Sequence, residues 1–211
     1  EIHMIVTLDA QRLSSPPPPG CTLQALIEHV RESYARDRLV VSVALNGQTL
    51  SDEDLVSGLD RPLEPEAQVD FETGTPREVV ADTSRALAEA FASSGDILSE
   101  AAEALSRGDV PGAMKPIGEY IALWQTTQGA VQQCAELLRL DISQWEVGGR
   151  PLLDSLSEAV GKLTLVREAL EAKDLVTLGD VVRYELPSLS STWHDLLGSL
   201  AERVESAEGI D

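Results

Sequence analysis

Hydrophobic and polar positions change period near residue 75. Before it, short apolar runs and one amphipathic stretch are separated by turn residues; after it, apolar residues recur every three or four positions. In residues 4–13, Ile5, Val6 and Leu8 suggest a first strand, and Ser14-Ser15-Pro16-Pro17-Pro18-Pro19-Gly20 then breaks the pattern, because proline cannot donate to a strand ladder. Thr22 is a fitting N-cap for a helix carrying Leu23, Leu26, Ile27, Val30 and Tyr34 on one face. Leu39-Val40-Val41-Ser42-Val43-Ala44-Leu45 is rich in β-branched residues and leads into Asn46-Gly47, a pair that adopts positive φ cheaply, so a strand and tight hairpin are expected. Ser51-Asp52-Glu53-Asp54-Leu55 has the form of a capped helical turn, and Ala67-Gln68-Val69-Asp70-Phe71-Glu72-Thr73 reads as the last strand, with Val69 and Phe71 toward the core.

Gly74-Thr75-Pro76 marks a boundary, and from Arg77 onward the chain reads as all α. Val80, Ser84, Leu87, Phe91, Ser94, Leu98, Ala101 and Leu105 form one apolar seam, ended by Gly108-Asp109. A second seam runs through Ile117, Ile121, Trp124, Gln128, Val131, Ala135 and Leu138. A third takes Leu156, Ala159, Leu163, Val166 and Leu170, and a fourth Leu178, Val182, Leu189, Trp193, Leu196 and Leu200. Four such helices predict a four-helix bundle, with kinks or breaks at Pro116 and Pro187. At an offset of 65, Ala104-Leu105 and Asp109 fall on Ala169-Leu170 and Asp174, and Ile117 on Val182, the pattern of a duplicated helical hairpin. Apolar helices also match one another by composition alone.

The fold class expected is therefore α+β, with two regions, residues 4–76 and 77–211. The order of strand, helix, strand, hairpin, short helix and last strand, carried by "VALNGQTLSDEDLVSGL" and "LEPEAQVDFET", resembles the ubiquitin-like β-grasp superfamily over residues 4–73. The resemblance implies a module that binds rather than catalyses. Modifiers and sulfur carriers of that superfamily end in a flexible Gly-Gly; here the last strand runs on through Gly74-Thr75-Pro76, so no carboxyl activation carries over. The proline loop is expected to replace the superfamily's short first hairpin turn.

With 43% apolar and 25% charged residues the chain can build a core, and 36 acidic against 16 basic residues give a net charge of −20. Residues 1–77 carry 13 acidic and 6 basic side chains (−7), and residues 78–211 carry 23 and 10 (−13), so both regions repel phosphate backbones and anionic lipid. The expectation is no nucleic acid and no membrane. Such acidity suits a solubilising surface or a docking face for a basic partner. Cys21 and Cys134 form no paired motif, which fits a reducing cytoplasm. Glu1-Ile2-His3-Met4 reads as a cloning remnant, and neither a basic leader with an apolar core nor an apolar run of the about 20 residues that span a bilayer follows.

Chemistry is thin. No phosphate-binding glycine loop, serine elbow, zinc-protease motif or Glu-x-x-His pair occurs, so no catalytic residue, cofactor or metal site is assigned. Asp52, Glu53, Asp54 and Asp60 lack the alternation and central glycine of a calcium loop. His29 falls on the polar side of its helix, where solvation is expected, and Cys134 on an apolar face. One polar cluster merits weighing: Glu119, Tyr120, Asp180, Tyr184, Glu185 and His194 converge if the second and fourth helices pack together near their prolines. It would either bind a cation or supply interhelical hydrogen bonds to tyrosine hydroxyls and a kink-freed carbonyl. Trp145, in the connection between helices, is a candidate exposed anchor for a partner. The leading expectation is a non-enzymatic interaction or scaffold protein that self-associates, as a homodimer, through the helical region. The alternative is a cytoplasmic secretion or flagellar-type chaperone with a basic or amphipathic partner, and last comes a metal-binding protein or enzyme using Glu119, Glu185 and His194.

Overall fold

The computed structural model describes residues 4–14, 20–139, 145–147 and 149–206. The fold is α+β, an N-terminal five-stranded sheet followed by helices, and the chain divides into two compact units between Val79 and Val80.

In the first unit, strand β1 (Ile5–Leu8) turns through Asp9 and Ala10, both at positive φ, into β2 (Gln11–Arg12). The short first hairpin is thus present ahead of the prolines, contrary to the expectation that the proline loop replaces it. Asp9 adopts the left-handed conformation readily and Ala10 does so at a steric cost, without the glycine that would have announced the turn. Pro16 to Pro19 themselves lie outside the described residues. Helix α1 (Leu23–Ser33) starts where Thr22 Oγ1 accepts the Ala25 N–H at 3.2 Å, and it buries Leu23, Leu26 and Val30. Strand β3 (Leu39–Leu45), the Asn46-Gly47 turn with φ of 52° and 81°, and β4 (Gln48–Thr49) form the expected hairpin. Helix α2 (Asp52–Gly58) is capped by Ser51, and β5 (Gln68–Gly74) closes the sheet in the order β2-β1-β5-β3-β4. β5 is parallel to β1 (Val6 beside Val69) and antiparallel to β3 (Val43 beside Phe71), so Val6, Val43, Val69 and Phe71 meet α1 in one core. The register slips between Val40 and Ser42, leaving Val41 as a bulge residue, 51% exposed.

Helix α3 (Pro76–Ser106) opens on a capping box: the Thr75 N–H donates to Glu78 Oε2 at 2.7 Å and the Glu78 N–H to Thr75 Oγ1 at 3.2 Å. Helix α4 (Val110–Leu138) runs unbroken past Pro116, which falls in its second turn, where the carbonyl left unpaired lies at the helix start. Next come a two-stranded ribbon, β6 (Glu146–Val147) with β7 (Arg150–Pro151), and α5 (Leu152–Ala172). The final helical stretch is α6 (Leu175–Asp180), a π turn at Val181–Glu185, and α7 (Leu186–Ser206). There the Leu186 N–H reaches back five residues to Val181 O, directly ahead of a proline that has no N–H to give. Thus Pro187 follows a widened turn within a continuous helical stretch.

Two turns in this unit share one geometry. The Asp109 N–H donates to Ala104 O and the Asp174 N–H to Ala169 O, both at 2.9 Å. Asp109 accepts from the Gly112 N–H and Asp174 from the Thr177 N–H, both at 3.0 Å, and the preceding Gly108 and Lys173 both have positive φ. The core is aromatic at its centre: Trp124 lies 4.9 Å from Phe91 and 4.9 Å from Trp193, ring centre to ring centre. Each expected α3 seam residue is buried; on α4, Thr127 takes the buried place expected of Gln128, since the drift of a straight helix against a seven-residue repeat moves the seam by one position. Among the described residues no helix is long and apolar enough to cross a membrane.

Candidate functional site

The six residues of the expected polar cluster do not form one site. Tyr120 alone enters the core, 1% exposed, and its hydroxyl lies 3.2 Å from Leu186 O, the carbonyl just ahead of Pro187, and 2.9 Å from Ser190 Oγ. Ser94 Oγ continues the chain, 2.9 Å from Ser190 Oγ and 2.7 Å from Phe91 O. Three hydroxyl protons thereby serve four contacts linking α3, α4 and α7. If the Ser94 proton is shared between its two acceptors, Ser190 donates to Tyr120 and Tyr120 to Leu186 O, so every hydroxyl is used. Ser94 and Ser190 are buried as polar members of apolar seams. No signal in the sequence marks Ser190, since Ser188, Ser190 and Ser191 look alike until the helices are placed.

The other five point elsewhere. Glu119 is on the surface, 3.7 Å from Lys115, and Asp180 is exposed at the end of α6. Tyr184, 64% exposed, stands on the π turn, and Glu185 pairs with Lys162 of α5. The His194 ring is turned to α3, with Nδ1 3.0 Å from Ala88 O. Residues one or two apart on a helix face different directions, so Glu119 and Tyr120, or Tyr184 and Glu185, cannot share a pocket. Among the described residues no group of three His, Cys, Asp or Glu side chains could hold a metal ion.

Burial pushes the Tyr120 phenol above its ordinary value, with the Ser190 hydrogen bond acting in the opposite sense. Its partners, a serine hydroxyl and a carbonyl, cannot take its proton at neutral pH. The arrangement therefore ties three helices together and offers no general base. Comparison with protein-family models, with characterised proteins and with solved structures finds no match to this chain.

Trp145 is half-buried and packs against the apolar core of the helical unit, which corrects its reading as an exposed anchor. The β6–β7 ribbon folds it back: the Leu152 N–H donates to Trp145 O at 2.8 Å, and Arg203 Nη1 donates to Glu146 O. His29 is half-buried too, its ring edge-on to Tyr34 at 5.9 Å. A groove of about 200 Å³ lies beside the π turn, its lining including Leu98, Ser99, Ala102, Val182, Arg183 and Pro187. Of the exposed large apolar side chains, Leu153, Val160, Leu165, Leu175 and Val176 lie on α5 and α6, while Val41 and Val56 lie on the first unit.

A second polar network sits in the first unit. Asp9 accepts from the Thr73 N–H at 2.8 Å and from Thr73 Oγ1 at 2.7 Å, Arg38 Nη2 donates to Thr73 O at 2.7 Å, and Glu78 lies 3.6 Å from the same guanidinium. The Thr73 hydrogen bonds hold the Asp9 carboxyl below its usual range, and those of Thr75 do the same for Glu78. Sequence reading missed this network because its members are 64 and 35 residues apart.

Proposed function

We propose that this chain is a non-catalytic protein-interaction protein that self-associates through its helical unit, a four-helix bundle in which α6, the π turn and α7 make the fourth helix. The observation that carries the reading is the apolar surface of α5 and α6. Leu153 and Val160, seven positions apart and so on one helix face, are 44% and 59% exposed, and Val176 on the helix packed against α5 is 76% exposed. Solvent-facing valine and leucine on adjacent helices suit a second copy's matching surface, since a twofold interface is self-complementary.

The first unit is read as a β-grasp module of the ubiquitin-like type. That reading is supported by the sheet order β2-β1-β5-β3-β4, the parallel β1–β5 pair at its centre and α1 packed on the face bearing Val69 and Phe71. A reducing compartment is supported by the two free thiols, Cys21 and Cys134.

Light scattering coupled to gel filtration tests the self-association. The expected result is a dimer mass at micromolar concentration for the parent and a monomer for Val160→Glu/Val176→Glu. Each copy carries −20, so raising the salt should strengthen the dimer by screening the repulsion. A parent that stays monomeric at high salt overturns the reading.

A further inference from the structure

The two helical hairpins can be laid on each other from two independent starting points. The turns give the first: Ala104, Gly108 and Asp109 match Ala169, Lys173 and Asp174 in hydrogen bonding, positive φ and cap, all at an offset of 65. Burial gives the second. On the leading helices Leu87, Ser94, Ala101 and Ala104 fall on Leu152, Ala159, Val166 and Ala169, buried in every case at that same offset. Amphipathic helices match one another at several offsets, but the turn selects one of these without reference to burial.

Along the trailing helices the offset holds and then changes once. Ala113, Pro116 and Ile117 fall on Leu178, Val181 and Val182 at 65. From Tyr120 onward the match needs 66: Tyr120, Trp124, Thr127, Val131, Cys134 and Ala135 fall on Leu186, Ser190, Trp193, Leu197, Leu200 and Ala201. Every buried position of α4 therefore has a buried counterpart. Two residues separate Ile117 from Tyr120, and three separate Val182 from Leu186. The change lies inside the π turn.

We infer that the helical unit is one hairpin present twice, and that the π turn is a single residue inserted into the second copy. An α-helix turns about 100° per residue, so an extra residue in regular helix would swing Trp193, Leu197 and Leu200 away from the core. A turn closed by a bond over five residues absorbs the extra residue and returns the following face to its place. The inserted turn is also where Arg183 joins the groove and Tyr184 projects into solvent. Pro187 follows from the insertion and is not its cause: the widened turn has already released the position whose N–H a proline lacks.

Deleting Tyr184 together with Pro187→Ala in the full chain tests this. The deletion restores the spacing of α4, so the variant should keep the near-ultraviolet circular dichroism of its tryptophans and melt within about 5 °C of the parent. Deleting the exposed Asp195, which no π turn offsets, should lower the melting point by more than about 15 °C or abolish the transition. The reciprocal pair is one alanine inserted between Gly118 and Glu119, which should form a π turn, against one inserted between Gln128 and Gly129, which should disrupt. Pro187→Ala alone should leave the Leu186 amide as protected from hydrogen exchange as in the parent. Equal losses within either pair, or a melting point for the Tyr184 deletion as low as that for the Asp195 deletion, would overturn the inference.

Discussion

The two polar networks of this chain do the same mechanical work with opposite electrostatics. In the first unit, Asp9, Thr73, Arg38 and Glu78 tie the β1–β2 turn, β5 and the start of α3 together with charged groups that remain largely open to water. In the helical unit, Tyr120, Ser190 and Ser94 tie three helices with neutral hydroxyls sealed from it. Charge near water is screened and contributes modestly, whereas a neutral group in a dry core costs most when its partner is removed. The difference teaches that exposure, more than bond number, sets how each network responds to mutation and to pH.

The largest expected effect is on the sealed side. Tyr120→Phe strips Ser190 and the Leu186 carbonyl of a buried partner, and should destabilise the helical unit by about 1–3 kcal/mol in urea unfolding. A change under about 0.5 kcal/mol would show that this network is dispensable, against the usual cost of stranding buried polar groups.

Titration sharpens the contrast. Asp9 and Glu78 have lowered values in the fold, so their stabilisation is present above the ordinary carboxylate range and is lost as pH falls through the folded values. Asp9→Asn should cost up to about 1 kcal/mol at pH 7, and the gap to the parent should narrow steadily as pH falls below the ordinary carboxylate range. Tyr120 and Cys134 are raised by burial, so their contribution is complete below their ordinary values and declines as pH climbs past about 10 for the phenol and about 9 for the thiol. Asp174 adds an acid-sensitive cap to the helical unit, held low first by the Thr177 hydroxyl. Unfolding followed by tryptophan fluorescence, which reports the helical unit, should therefore show an alkaline loss that Tyr120→Phe reduces. An Asp9→Asn gap unchanged at pH 3 would contradict the assignment of charge to the first network.

The smallest effect concerns a hydroxyl with no network. Ser155 Oγ is buried with no hydrogen-bond partner among the described residues, and the corresponding position of the first hairpin is Ala90. Ser155→Ala should raise stability by about 0.5–1 kcal/mol, and a loss would mean that the hydroxyl is satisfied.

Much of the fold could be read along the chain where the signal is local. Asn46-Gly47, the Ser51 and Thr22 caps and the α3 seam each depend on residues within one or two turns, and each occurs where expected. The Asp9-Ala10 hairpin escaped because neither residue is a glycine, and the π turn because one extra residue leaves an apolar pattern almost intact. Of the candidate cluster, Tyr120 was recognisable as a buried tyrosine beside a proline-disturbed helix. Its partner Ser190 was not, since a serine two residues along from another gives no hint of which one faces inward.

The sheet's outer strands are only two residues long, and β3 is interrupted by the Val41 bulge on a run that carries no charge. Aggregation usually begins when a flat, uncharged strand offers its spare backbone groups as a template to another chain. Here the terminal strands are too short to template anything, and the bulge bends the one long candidate out of a straight ladder. The hazard is therefore confined to molecules in which β3 has come away from β5, so precipitation on heating or storage should track opening of this sheet and be slowed by whatever keeps that pair together.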